Sequence, residues 1–285
     1  MHVDVHGGRT SEHGRDDATA GLAAEPARAA AGASEAPGAS VSPEAAVEAP
    51  AEAPIEAAIE VPIDALVERA LGLLRGQGSG RGRVILGLAG PPAAGKSTLA
   101  RHLVAEIVRR EGPDAAAYLP LDGFHLANTQ LDRLGLRARK GAPETFDADG
   151  YLALLQRVTH ERFRDIYAPD FDRTVDEPVA ARHVVRPHTR LVVTEGNYLA
   201  APDTPWPNVR ALLRELWYIE ADDELRHRRL IARHTGGGQD HEAAALRIAA
   251  NDHPNGEYVK AGRSVATWLV RVPDLPAAVD GRTVL

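Results

Sequence analysis

Val84-Ile85-Leu86-Gly87-Leu88-Ala89 runs directly into Gly90-Pro91-Pro92-Ala93-Ala94-Gly95-Lys96-Ser97-Thr98, and Leu99, Leu103 and Ile107 follow at helical spacing. The first six residues are a short, continuous apolar run, the pattern of a strand buried on both faces of a parallel sheet. Gly90 to Ser97 matches G-x-x-x-x-G-K-[ST]. Glycines there let the backbone curl until successive N–H groups face one concavity. The helix that follows turns its positive end toward the same point. In such a loop the lysine reaches the β- and γ-phosphates of a nucleoside triphosphate, and the serine ligates Mg²⁺. On this chain's own composition the pattern is expected by chance roughly 0.002 times. Lysine usage agrees: the chain holds 30 arginines but three lysines, and this loop favours a compact, rotatable ammonium over a planar guanidinium. Residues 90–98 are therefore the expected nucleoside triphosphate-binding segment, a loop that GTPases, motor ATPases and small-molecule kinases share.

The pattern extends both ways. Upstream, Ile63, Leu66, Val67, Ala70, Leu71 and Leu74 give one apolar helical face, starting at Pro62, which suits a first turn. Downstream, Ala115–Leu121, Arg190–Thr194, Leu216–Ile219 and Thr267–Val270 read as strands, and Tyr151–Val158 as a helix. Asp222 is expected to cap a basic helix running to about His234. Alternating strands and helices predict an α/β domain with a mainly parallel sheet covered on both faces. Ligands in such sheets bind at the carboxyl ends of strands, which is where Asp122 and Glu195 fall. Asp122 is a candidate base for a hydroxyl proton, or a turn aspartate before Gly123. Glu195 is a candidate support for Mg²⁺, or an ordinary strand-end acid. His125 either bonds an acceptor or is structural.

Composition narrows the classes. With 285 residues and no cysteine, disulfide frameworks, thiolate zinc sites, iron–sulfur clusters and cysteine nucleophiles are excluded. No 18-residue apolar stretch and no basic-then-apolar leader is present, so the expected location is the cytoplasm, with no membrane partner. The net charge is −7, but residues 1–60 alone carry −8, so the remainder is nearly neutral and shows no nucleic-acid footprint. Those 60 residues contain 18 alanines, five prolines and no aromatic residue, a composition expected to form a disordered tail. No Asn-Lys-x-Asp string occurs, which argues against a GTPase.

Gly90–Thr98, Asp122-Gly123-Phe124-His125, Arg139-Lys140-Gly141-Ala142-Pro143-Glu144-Thr145-Phe146-Asp147 and Glu195-Gly196-Asn197-Tyr198 appear in that order. Together they resemble the phosphoribulokinase / uridine kinase / bacterial pantothenate kinase superfamily, over roughly residues 63–272. Within it, the chain resembles the nucleoside/nucleotide kinase-like group that includes fructose-transport kinases. The resemblance implies a P-loop NTPase three-layer sandwich with a helical lid at about 222–250. The expected division is a tail over 1–61 and a kinase domain over 62–285. It also implies ATP- and Mg²⁺-dependent phosphorylation of a hydroxyl on a small molecule. Asp122 matches the base and Glu195 the metal-supporting acid. Arg229 and Arg233 match lid arginines that close on the phosphates, with Gly236-Gly237-Gly238 as hinge, or else belong to a solvated basic face. Arg139, Lys140 and Glu144 match positions near the acceptor, or the two cations belong to a structural salt-bridge loop; Phe171 and Asn255 match positions there too, or are a core aromatic and part of a Pro-Asn turn. Where pantothenate kinases carry histidine and tyrosine, this chain reads Asp170-Phe171-Asp172-Arg173-Thr174, and two aspartates suit an uncharged nucleoside, sugar or polyol better than a carboxylate. Pantothenate kinase-like activity and an ATP-binding regulatory protein are the alternatives. A homodimer is among the expected assembly states.

Overall fold

The structure is a computed structural model and describes residues 58–76 and 82–273. The expectations for residues 1–57 and 274–285 lie outside the described residues. The chain enters as β1 (Ile59–Glu60), α1 (Ile63–Arg75), β2 (Val84–Ala89), α2 (Lys96–Glu111) and β3 (Ala116–Pro120). It continues with α3 (Asn128–Leu134), α4 (Ala148–His160) and the antiparallel pair β4 (Ile166–Asp172) and β5 (Glu177–Val185). Then come β6 (Leu191–Glu195), α5 (Trp206–Arg210), β7 (Glu215–Glu220), α6 (Asp223–Gly236), α7 (His241–Arg247), α8 (His253–Ala261) and β8 (Trp268–Arg271).

Among the described residues the main sheet is six-stranded, in the order β1-β8-β7-β2-β6-β3, and every pairing in it is parallel. Side chains alternate across it as the pleat requires. Leu86, Leu88, Val193, Trp217 and Ile219 pack with Leu66, Leu71, Leu99 and Leu103 of α1 and α2. Ile85, Leu119, Val192, Tyr218 and Leu269 pack on the other face with Tyr151 and Leu155 of α4, Val209 of α5 and Val259 of α8. This is the expected three-layer α/β arrangement. The sheet begins earlier than Pro62, because Ile59 and Glu60, within the stretch read as tail, pair with Val270 and Arg271. Asp222 does stand at the start of α6, but its side chain makes no cap bond; it lies 3.4 Å from Arg271 instead. The β4–β5 hairpin was not expected, and it stands apart from the sheet as a two-stranded ribbon. No helix among the described residues is long and apolar enough to cross a membrane.

Two glycines set the approach of these elements at the site. A Cβ on Gly90, whose φ is +142°, would lie 2.4 Å from Ile219 O of β7. One on Gly123 would lie 2.4 Å from Pro169 O of β4. Neither close approach tolerates a side chain, so Gly123 is what lets the hairpin lie against the turn carrying Asp122.

Candidate functional site

The loop Gly90–Gly95 joins β2 to α2, and Lys96 is the first residue of α2. The Lys96 Nζ donates to Pro91 O at 3.0 Å, curling over its own loop, and to Asn197 Oδ1 at 2.7 Å. Burial pushes its pKa down to about 8, against the opposing pull of Glu195 and Asp122. Ser97 Oγ donates to Glu195 Oε1 at 2.9 Å, and Tyr118 Oη donates to the same oxygen at 2.7 Å. Glu195 is buried. Burial and the nearby Asp122 charge push its carboxyl up, and Lys96, Tyr118 and Ser97 only partly offset this. A hydroxyl and a carboxylate fit Mg²⁺, a hard cation that takes few protein ligands and keeps phosphate oxygens and waters as the rest.

Asp122 sits in a 3₁₀ turn, Leu121–Phe124, at the carboxyl end of β3. Enclosure in the cleft pushes its carboxyl up, but His125, Arg173, Arg233 and Lys96 together outweigh this and hold it below the usual aspartate value. Its nearest cation is Arg173 on the hairpin turn, with Nη2 at 3.5 Å from Oδ2. His125 places Nδ1 2.7 Å from Asp122 O. Its ring lies 4.0 Å from Phe146 and 4.8 Å from Phe171. Lys96, Ser97, Asp122, Glu195 and Asn197 line one cleft of about 710 Å³ together with His125, Phe171 and Asn255.

One wall of the cleft is supplied by α6. Arg226 is buried; its Nε donates to Pro92 O at 2.9 Å and its Nη1 to Asp223 at 2.6 Å. Arg229 Nη1 donates to Ala93 O at 3.1 Å. Arg229 and Arg233 both line the cleft, as expected, and so does Arg247, whose buried Nε has no hydrogen-bond partner. Arg226, Arg247 and Asn197 are additions to the expected set. Arg226, Arg229 and Arg233 stand at i, i+3 and i+7, one helical face, which is a signal the sequence carried.

The acceptor end differs most from expectation. Arg139 and Glu144 do not line the cleft: Arg139 Nε lies 3.3 Å from Glu144, and its Nη1 donates to Asn251 at 3.1 Å. Lys140 lines the cleft but is buried and engaged. Its Nζ donates to Asn128 Oδ1 at 2.6 Å and to Asp176 Oδ2 at 2.9 Å, and lies 4.8 Å from the centre of the Phe171 ring. It ties the hairpin turn to α3. Asn255 is buried at the cleft wall and bonds Asn251 at 3.4 Å. The two aspartates read as hydroxyl binders are occupied elsewhere. Asp170 pairs with His183 at 3.0 Å and Arg101 at 3.8 Å, and Asp172 pairs with Arg182 and accepts Thr174 N–H at 2.8 Å. Neither lines the cleft, whereas Phe171 between them and Arg173 just after them do.

No family model matches the chain. A Schizosaccharomyces pombe protein named as a candidate uridine kinase is 35% identical over 198 residues, 67% of this chain and 83% of its own length. The uncharacterised Escherichia coli protein YggC is 35% identical over 195 residues, covering 67% of this chain and 79% of its own. The crystal structure of a candidate fructose transport system kinase from Silicibacter sp. TM1040 is 34% identical with a TM-score of 0.67, covering 75% of this chain and all of that one. The Saccharomyces cerevisiae P-loop protein YFH7 shares the fold at 19% identity, with a TM-score of 0.63 over 74% of this chain and 99% of its own.

Proposed function

Since the chain belongs to the phosphoribulokinase / uridine kinase superfamily of P-loop kinases, and is thus an ATP-dependent phosphotransferase, we propose that it phosphorylates a hydroxyl of a small molecule with a nucleoside, sugar or polyol framework. One observation carries this reading. Lys96, Ser97, Glu195 and Asp122 come from the carboxyl ends of three adjacent parallel strands, β2, β6 and β3, and meet around one cleft.

Each residue has a task. Backbone N–H groups of residues 93–97, the stretch after the two prolines, hold the phosphates, and Lys96 leaves Pro91 O to meet them. Arg229 and Arg233 add positive charge where negative charge spreads over the transferred group. Ser97 and Glu195 would hold Mg²⁺, which would supply neutralisation of phosphate charge when bound. The acceptor oxygen bonds to the γ-phosphorus as the bond to the β-phosphoryl oxygen breaks. ADP leaves with that electron pair, and Asp122 takes the hydroxyl proton. Asp122's depressed pKa keeps it ionised and ready at neutral pH.

The test is ADP release from Mg-ATP across a panel of polyols, sugars, nucleosides and pantothenate, with wild type and Asp122→Asn. Acceptor-dependent release is expected, with kcat lower in the variant by about 10²–10⁴-fold and ATP affinity unchanged. Release that survives the substitution overturns the assignment of Asp122. A panel that stays silent overturns the kinase reading for these acceptors and favours an ATP-binding regulator.

A further inference from the structure

Arg173 is held against the residue assigned as base, and the turn that carries it is pinned on several sides. Lys140 holds Asp176 at the far end of the turn. Glu177 accepts the Asn128 backbone N–H at 3.0 Å. Asp172 accepts Thr174 N–H within the turn. The Arg173 side chain itself is more than half exposed, and its one ion pair among the described residues is with Asp122.

This placement poses a chemical problem. A guanidinium on a carboxylate lowers its affinity for a proton, and Asp122 must accept one. A neutral polyol offers nothing that competes for a guanidinium. A carboxylate or phosphate does, because two parallel N–H···O bonds match the planar fork of arginine. Among the cations that line the cleft, Arg173 is the one that pairs with Asp122. Lys140 is saturated by Asn128 and Asp176. Arg229 reaches the phosphate loop. The acids at 170 and 172 are committed to other partners. In the same cleft, His125, Phe146 and Phe171 form an aromatic cluster fit for a small carbon skeleton.

We propose that the acceptor carries an anionic group, a carboxylate or a phosphate, beside the hydroxyl that is phosphorylated, and that Arg173 is the specificity-determining residue that binds it and in doing so uncovers Asp122. The inference rests on the kinase reading above and names the substrate class within it.

Matched pairs test it: glycerol and glycerate, pantothenol and pantothenate, ribose and ribose 5-phosphate, fructose and fructose 6-phosphate. Initial rates of ADP release are measured for wild type, Arg173→Ala and Arg173→Lys, with melting curves to confirm that the exposed substitution leaves the fold intact. In wild type the anionic member of a productive pair is expected to exceed its neutral partner in kcat/KM by tenfold or more. Arg173→Ala should bring that ratio to within about twofold of unity, and Arg173→Lys should keep part of it, as a point charge without the fork. The carboxylate and phosphate pairs separate the two sources of charge. Neutral members turned over as well as anionic ones by wild type, or a charge preference that survives Arg173→Ala, would overturn the inference while leaving the kinase reading standing. If no member of either set promotes ADP release, the kinase reading fails and takes the inference with it.

Discussion

Raising the pH from 7 to 9 is expected to weaken ATP binding about tenfold through one group, Lys96. In the free protein its pKa is pushed down to about 8 by burial. The ammonium is then about 90% charged at pH 7, half charged at pH 8 and about 10% charged at pH 9. Phosphates bound in the loop favour the charged form, so binding must restore the missing proton. The expected uptake is therefore about 0.1 proton at pH 7, 0.5 at pH 8 and 0.9 at pH 9. Isothermal titration in buffers of different ionisation enthalpy reads that number directly, and the same titrations give Kd. The sign on stability follows from the same displacement. The unfolded chain holds this proton with a pKa of 10.5, so the buried charge penalises the free fold below about pH 8, and the penalty fades as pH rises toward 10.5. Lys96→Met should bind weakly with no proton uptake. Uptake near zero at pH 8 and 9, with Kd changing less than twofold between pH 7 and 9, would refute the account of Lys96.

Two further predictions probe the metal support and the scaffold. Glu195→Gln removes the charge that shares Ser97, and should weaken apparent Mg²⁺ affinity by about 10–100-fold. Metal-free ATP binding, titrated in chelator, should stay unchanged; equal losses with and without Mg²⁺ would contradict the role. Arg83 is buried, and its Nη1 donates to Val158 O at 2.9 Å and Glu161 O at 2.6 Å beyond the reach of α4's own ladder. Arg83→Met should cost about 3 kcal/mol of stability by orphaning those carbonyls, a drop of about 6–12 °C in Tm by calorimetry. A drop under about 2 °C would show that water replaces the guanidinium without loss.

The residues that gather the site were legible because their chemistry is local. A glycine loop between an apolar strand and an apolar-faced helix can be read within 24 residues, Val84 to Ile107. Asp122 and Glu195 each follow a buried strand whose run of apolar residues marks its own end. The hairpin is different. Its residues are mostly half-buried or exposed, as in Glu177–Val185, so no apolar run announces it, and Arg101 and Arg182 pair with its acids from a distance in sequence. The same distance hid Lys140, whose partner Asp176 lies 36 residues on. Its motif position left an acceptor contact and a structural salt bridge both open, and its burial against Asp176 makes it a fastener. Arg226 looked like one more charge on a basic helix. Only tertiary packing separates it, buried against Pro92 O, from Arg228, which is 66% exposed two residues later.

The central claim, transfer of the γ-phosphoryl group to a hydroxyl, is tested most directly by following that group. The protein is incubated with Mg²⁺, γ-³²P-labelled ATP and the matched acceptors, and the products are separated. Label is expected in an organic phosphate monoester that phosphatase treatment releases as inorganic phosphate, and Asp122→Asn should all but abolish it. Label found only in inorganic phosphate, at a rate no acceptor changes, would contradict the account and leave a nucleotide-hydrolysing fold in its place.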